Sequence, residues 1–259
     1  MVKRMIRSLF HPVATRLGYT RSAAASMAPQ APVVNSKNDL LHSFYTVLQK
    51  AAFQPGHIVD VGANHGAWTR EARAMFPRAR ITMLEPQSWL QPKFQDLLDK
   101  DPLVRYFPVG AGRTGGSFLF TIAKRDDSST FRLTPEEAKA RGLEQKEIPV
   151  VTLNELIAAN DLPCPDIIKI DAEGLDLEVL EGASDFFGRT EVFMVEAAIV
   201  NKVFTNSLLE MVTYMDAKGY RLFDITDLNR PWEKPVLWLV ELVFVRKGGR
   251  LDSMNGTEP

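Results

Sequence analysis

An alternation that runs from Asp39 almost to the C-terminus limits this chain to few architectures. Short apolar runs recur between stretches with helical spacing. HIVDVGA (57–63), ARITMLEP (79–86), VRYFPVGA (104–111), PDIIKIDAEG (165–174) and VFMVEAA (192–198) read as buried strands. Residues 39–53, Ala67–Met75, Gln87–Lys100, Thr152–Asn160, Gly174–Phe187 and Ser207–Lys218 read as helices. Strands and helices in this order predict an open α/β sheet, mostly parallel. The ending departs from that rhythm. YRLFDIT (220–226) and VLWLVELVFVRK (236–247) are separated by DLNRPWEKP with no helix between them, which predicts an antiparallel hairpin at the sheet edge. After the strand SFLFTIA (117–123), residues 124–148 are polar and read as a strandless insertion. It holds one helix start, Thr134-Pro135-Glu136-Glu137, with a cap, a proline and the acid of a capping box.

Composition narrows the function classes. Hydrophobic residues make up 45% and charged residues 24%, a mix that excludes collagen-like and disordered chains. The single cysteine, Cys164, rules out an internal disulfide and a thiolate metal site. His11, His42, His57 and His65 lack zinc-ligand spacing. No apolar run approaches the roughly 20 residues that cross a bilayer. The net charge of −1 conceals an asymmetry: six basic residues and no acid precede Asp39, leaving 25 positive against 32 negative, a net −7, for the remainder. An acidic body argues against a nucleic-acid partner. The first 21 residues form a basic, amphipathic pattern interrupted by Pro12. They are expected to fold against the domain, to contact an anionic membrane weakly, or to act as a transit peptide. The expected domains are a basic N-terminal segment and linker (1–38), an α/β domain (39–248) and a disordered tail (249–259).

In such a sheet, ligands bind beyond the carboxyl ends of the strands. Acids fall there at Glu85, Asp171, Glu173 and Glu196, and Asp60 precedes a glycine turn, Gly62-Ala63-Asn64-His65-Gly66. A dinucleotide fingerprint would place glycine at position 64, where Asn64 stands. The acid two residues before Gly62 suits a ligand carrying ammonium or sulfonium better than a pyrophosphate. Glu85, 25 residues after Asp60, is placed to accept both hydroxyls of a ribose. Loop and acid alone allow a dinucleotide or S-adenosylmethionine. The terminal hairpin favours the second, because dinucleotide folds end on parallel strands. Asp171 and Glu173 alternate along an extended strand end and face one side, with Lys169 as a candidate ion-pair partner for Asp171. A helix cap is the structural reading of Glu173. His65 reads as a helix-start residue rather than a base.

Over residues 56–200 the chain resembles the FkbM family of S-adenosylmethionine-dependent methyltransferases. The resemblance is carried by IVDVGANHGAWT, MLEPQ, VVTLNEL, VFMVEAA and, most specifically, IIKIDAEGLDLEVLEGA. Asp176 stands where the family usually has glutamate, and Ala172 where valine is common. The resemblance implies a Rossmann-like class I methyltransferase fold: a seven-stranded, mostly parallel sheet with a C-terminal antiparallel hairpin and helices on both faces. It implies that Asp60, Gly62, Ala63 and Asn64 hold the methionyl part of the cofactor, with Gly66 opening the next helix. Glu85 takes the ribose, Pro86 and Gln87 border the adenosine, and Gly110 and Ala111 lie near the adenine. Asp171 and Glu173 sit by the sulfonium and the acceptor hydroxyl, as a proton acceptor or as ligands of a divalent metal. The implied reaction is O-methylation of a sugar, a glycolipid or a polyketide-like small molecule. The single cysteine and the basic N-terminal segment set the expected location, the cytoplasm or peripherally at its membrane. The alternatives are a nicotinamide-dependent oxidoreductase and a non-catalytic membrane-surface adaptor.

Overall fold

Seven of the apolar runs assemble into one sheet. The computed structural model describes residues 39–199, 206–230 and 236–254, and the expectations for residues 1–38 lie outside them. The strands of the large sheet are β1 (His57–Val61), β2 (Arg80–Leu84), β3 (Val104–Phe107), β7 (Ile167–Ile170), β8 (Val192–Ala198), β9 (Tyr220–Asn229) and β10 (Leu239–Arg246). Their spatial order is β3-β2-β1-β7-β8-β10-β9. The pairs from β3 through β8 are parallel, and β10 runs antiparallel between β8 and β9. The expected hairpin is therefore present, with β9 as its outer edge.

Strand alternation sends successive side chains to opposite layers. Val59, Val61, Ile168, Ile170, Phe193 and Val195 pack on one face with the helices α5 (Leu153–Ala159), α6 (Asp176–Glu181) and α7 (Leu208–Ala217). Ile58, Ile81, Ile167, Met194 and Val243 pack on the other with α1 (Asp39–Lys50), α2 (Ala67–Met75) and α3 (Gln95–Lys100). Helix α1 shows why it docks: Leu41, Phe44, Tyr45 and Leu48, one helical stripe, are its buried residues. Complete burial of a Leu or Phe side chain contributes about 2–3 kcal/mol, so either layer alone exceeds the worth of any surface ion pair. Asp60 and Lys169 occupy register-matched positions on the α1/α2 face, and are charges inside an apolar layer.

Four expectations are corrected. Residues 124–148 do contain strand: β6 (Glu144–Val151) pairs with β5 (Gly116–Ile122) and β4 (Gly110–Ala111) in a separate three-stranded sheet. Only Ile148 and Val150 of β6 are buried, so its hydrophobic signal is weak, and Pro149 argues against a strand. Proline is tolerated because β4 reaches only Val150 and Val151. The helix at Thr134 forms as read, α4 (Pro135–Ala140) with its complete capping box. The expected 87–100 helix is a 3₁₀ segment, Ser88–Lys93, followed by α3, with Pro92 inside the broken part. The expected 174–187 helix is likewise short: α6 ends at Glu181 and a 3₁₀ turn covers Ser184–Phe186. A Cβ on Gly182 would lie 2.0 Å from the Gly112 carbonyl oxygen, so the chain turns there on a bare backbone. Finally, residues 249–254 are packed, not a tail. Leu251 is completely buried, its N–H donates to Glu191 Oε1 at 2.8 Å, and Arg221 pairs with Asp252.

Candidate functional site

The carboxyl ends of β1, β2 and β7 converge on a cleft of about 610 Å³, counting its open mouth. Its floor is the turn after β1. Gly62 adopts φ 74° and its N–H donates to Leu84 O at 2.9 Å, while Asp171 N–H donates to Val61 O at 3.1 Å. The Asp171 carbonyl oxygen lies so close that a Cβ on Gly62 would meet it at 1.9 Å. Glycine is required here twice, for conformation and for space. Asn64 continues the turn at φ 47°, and Gly66 at φ 73° precedes α2.

Glu85, just beyond β2, is 3% exposed. Its Oε2 accepts from the Asn64 N–H at 2.8 Å and its Oε1 from the Gln87 N–H at 2.8 Å. Burial pushes its carboxyl above the ordinary range, opposed by those two N–H donors. The Gln87 Nε2 donates to Asp126 O at 2.9 Å, which fixes the amide and leaves Oε1 buried with no hydrogen-bond partner among the described residues. Glu85, with lone pairs to spare, and this orphaned oxygen make one end of the cleft a set of acceptors. Ribose hydroxyls and an exocyclic amine are donors of the matching kind. The residues present thus fit an adenosyl group. Replacing Glu85 with Ala removes the acceptor and both loop anchors, and is expected to weaken S-adenosylhomocysteine binding by about 1–3 kcal/mol. Calorimetry that gives the wild-type affinity for this variant would remove Glu85 from the site.

At the other end stand Asp171 and Glu173. Asp171 Oδ2 lies 3.3 Å from Lys169 Nζ, the ion pair expected from the alternation, and its side chain is 39% exposed. Glu173 sits at φ 50° and lines the same cleft. Burial, then the neighbouring Asp171 and Asp176, push its carboxyl up to about 8. It is not a helix cap. Asp176, the first residue of α6, ties down the turn that precedes the helix, accepting from the Ala172 and Gly174 N–H groups at 3.2 Å each and from Asn206 Nδ2 at 2.9 Å. Burial still raises Asp176 to about 7. Burial, then Asp171, likewise raise Glu196, the half-buried acid near the end of β8. Among the described residues no three His, Cys, Asp or Glu side chains are grouped to hold a metal ion.

Of the residues expected in the site, Gly62, Asn64, Glu85, Pro86, Gln87, Gly110, Ala111, Asp171 and Glu173 line the cleft. Asp60, Ala63 and Gly66 do not. Ala63 is buried in the core, and Gly66 faces Phe94, which a Cβ would meet at 3.0 Å. Asp60 is completely buried below the floor, accepting from Thr69 Oγ1 at 2.6 Å. His65 reaches Asp126 at 3.1 Å, outside the cleft lining. The sequence reading missed the opposite wall: Phe120 together with Asp126, Asp127 and Ser129–Phe131, all from the second sheet and the segment following β5. One signal existed. Gly110 is bare because the Phe131 ring occupies its Cβ space, at 2.7 Å.

The raised carboxyls set a pH trend in stability. Glu173 (about 8), Asp176 and Glu241 (each about 7) hold protons more tightly folded than unfolded. Their contribution is complete below pH about 4.5 and is lost as pH rises through 7–8. Tm is therefore expected to fall between pH 6 and 8.5. Glu173→Gln should recover part of that fall at pH 8.5, of order 1–3 kcal/mol after allowing for solvent screening. Scanning calorimetry showing equal pH slopes for both proteins would contradict this environment for Glu173.

The strand order, the antiparallel β10 and a cleft at the ends of β1, β2 and β7 define the class: a Rossmann-like methyltransferase fold. Residues 60–222, more than half of the chain, match the family described as Methyltransferase FkbM domain, and the chain belongs to that family. No curated protein matches it. Similar solved structures include precorrin-6y C5,15-methyltransferase from Geobacter metallireducens (16% identity, 86% of this chain and 94% of that one, TM-score 0.45). Another is magnesium protoporphyrin IX methyltransferase from Synechocystis with S-adenosylmethionine bound (11%, 95% and 97%, TM-score 0.43). A third is 1,6-didemethyltoxoflavin-N1-methyltransferase from Burkholderia thailandensis (11%, 81% and 79%, TM-score 0.45). With TM-scores below 0.5, these likenesses carry nothing about the acceptor.

Proposed function

We propose that the chain transfers the methyl group of S-adenosylmethionine to a hydroxyl oxygen of a sugar, glycolipid or polyketide-like acceptor. The observation that carries this reading is the polarity of one cleft: hydrogen-bond acceptors at Glu85 and Gln87, and a carboxylate pair, Asp171 and Glu173, at the other end. Bound S-adenosylmethionine supplies an already activated methyl group. The protein's tasks are to hold the hydroxyl in line and to take its proton. The two carboxylates differ as an acid–base pair should. Asp171 is ion-paired and half-exposed, suited to orienting the hydroxyl. Glu173, raised to about 8, lies near the working pH at which proton acceptance is most effective. Turnover should then rise with pH through about 8. The hydroxyl preference and the acceptor class rest on the family resemblance.

The test is incubation with methyl-labelled S-adenosylmethionine and an extract of the source cells, followed by identification of the labelled product. Label on a small-molecule oxygen supports the reading, and label on nitrogen or on protein overturns the acceptor assignment. Among the described residues no helix is long and apolar enough to cross a membrane. We place the reaction in the cytoplasm, with residues 1–21 adding weak, salt-sensitive contact to anionic lipid. Equal flotation with anionic vesicles by the full chain and a form lacking residues 1–37 would contradict that contact.

A further inference from the structure

Lys169 is an unusual residue to find in the interior of a parallel sheet. It is 4% exposed, on the face covered by α1 and α2, where its strand neighbours are Asp60 on β1 and Met194 on β8. Burying an ammonium is costly, and apolar replacements of buried ion pairs are often neutral or stabilising, so packing alone does not account for it. Its two partners differ. Asp60 is completely buried. Its Oδ2 takes the Thr69 hydroxyl, while its Oδ1 has no hydrogen bond among the described residues and lies 3.6 Å from Lys169 Nζ. Asp171 is the partner at 3.3 Å, and it reaches the cleft. Two further groups face this nest: Glu241 on β10, held by Thr226 Oγ1 at 2.5 Å, and Tyr45 on α1. The ammonium thus has one anchor below the cleft and one carboxylate in it.

We infer that Lys169 is a positioning residue: it ties the Asp171 side chain to Asp60, at the foot of the glycine turn, so that Asp171 meets the acceptor in a fixed orientation. The backbone reinforces the link, since Asp171 N–H bonds Val61 and its carbonyl fills the space beside Gly62. The cofactor turn and the catalytic strand end are therefore set relative to each other by one charge and one close backbone contact. Asp60 belongs to this support and not to the ligand shell. The inference rests on the methyltransferase reading above, and it adds a residue that touches neither cofactor nor acceptor.

The test compares wild type, Lys169→Arg, Lys169→Met and the double variant Asp60→Asn/Lys169→Met. The double variant removes the buried counter-charge and keeps the test valid if Lys169→Met alone fails to fold. The measurements are thermal unfolding, S-adenosylhomocysteine affinity by calorimetry, and transfer of methyl label from S-adenosylmethionine to the source-cell extract. The folded Met-containing variants should bind S-adenosylhomocysteine within about threefold of wild type. Transfer at saturating cofactor should fall at least about 50-fold, with KM for the cofactor little changed, and Arg should restore it to within about tenfold of wild type. Transfer within threefold of wild type in a Met variant would reduce Lys169 to a structural residue. Affinity lost in step with rate would make it a cofactor residue. Either result overturns the inference. A wild-type protein that binds no S-adenosylhomocysteine or transfers no label instead overturns the methyltransferase reading, and this inference with it.

Discussion

Asp171→Asn is expected to lower methyl transfer by about 10²–10⁴-fold, the range for a group acting directly on the transferred proton or its hydroxyl. Asn keeps the shape, but it removes the charge that Lys169 holds at 3.3 Å and the acceptor strength that the hydroxyl requires. S-adenosylhomocysteine affinity should change far less, because Glu85 and Gln87 lie at the other end of the cleft. Rates at saturating cofactor and calorimetry, measured on the same preparation, separate the two effects. Near-normal turnover would mean that orientation of the acceptor does not pass through Asp171. A parallel assay with a chelator followed by a divalent ion shows whether the carboxylate acts directly. Indifference to both indicates that it does.

The second large effect is structural. Gly62→Ala is expected to cost about 3–5 kcal/mol and to abolish S-adenosylhomocysteine binding at any usable concentration. Two penalties combine: a left-handed φ of 74°, and a Cβ 1.9 Å from the Asp171 carbonyl oxygen, which is backbone and cannot swing away. Gly142 supplies the control. It has φ 65°, and a Cβ added there would meet nothing within 4 Å, so Gly142→Ala should show only the conformational cost of about 1–2 kcal/mol. Equal losses of Tm in the two variants would mean that the close approach of β1 and β7 at the cleft floor relaxes easily.

The large sheet was legible because its central strands are buried on both faces and read as continuous apolar runs, as in IIKI and VFMV. Glu85 was legible because an acid at the end of the second strand has a geometric reason to be there, and Asp171 for the same reason. The second sheet was hidden by its exposure. β5 was read as the strand SFLFTIA although it shows solvent its first four residues, but β6 alternates weakly around a proline and carries no core signal, so nothing in the sequence marked a partner for β5. That sheet supplies one wall of the cleft, and Phe131 and Asp126 were missed with it. Asp60 was expected in the cleft and stands buried below its floor, for a different reason. In the sheet it stands opposite Lys169, a register that the sequence does not give, and nothing in the sequence says whether that face at that height is cleft or core. The helix layer decides it, with Thr69 of α2 closing over the carboxylate. The end of the domain was misjudged because GRLDS looks like a tail, whereas Leu251 fills a core position and Glu191 binds its N–H.

Whether this cleft holds an adenosyl sulfonium cofactor is decided by titrating the full-length protein with S-adenosylhomocysteine and, separately, with NAD in a calorimeter. Saturable one-to-one binding of S-adenosylhomocysteine, weakened in Glu85→Ala and absent for NAD, is the expected result. Binding of NAD in preference to S-adenosylhomocysteine, or S-adenosylhomocysteine binding that ignores Glu85→Ala, would contradict it.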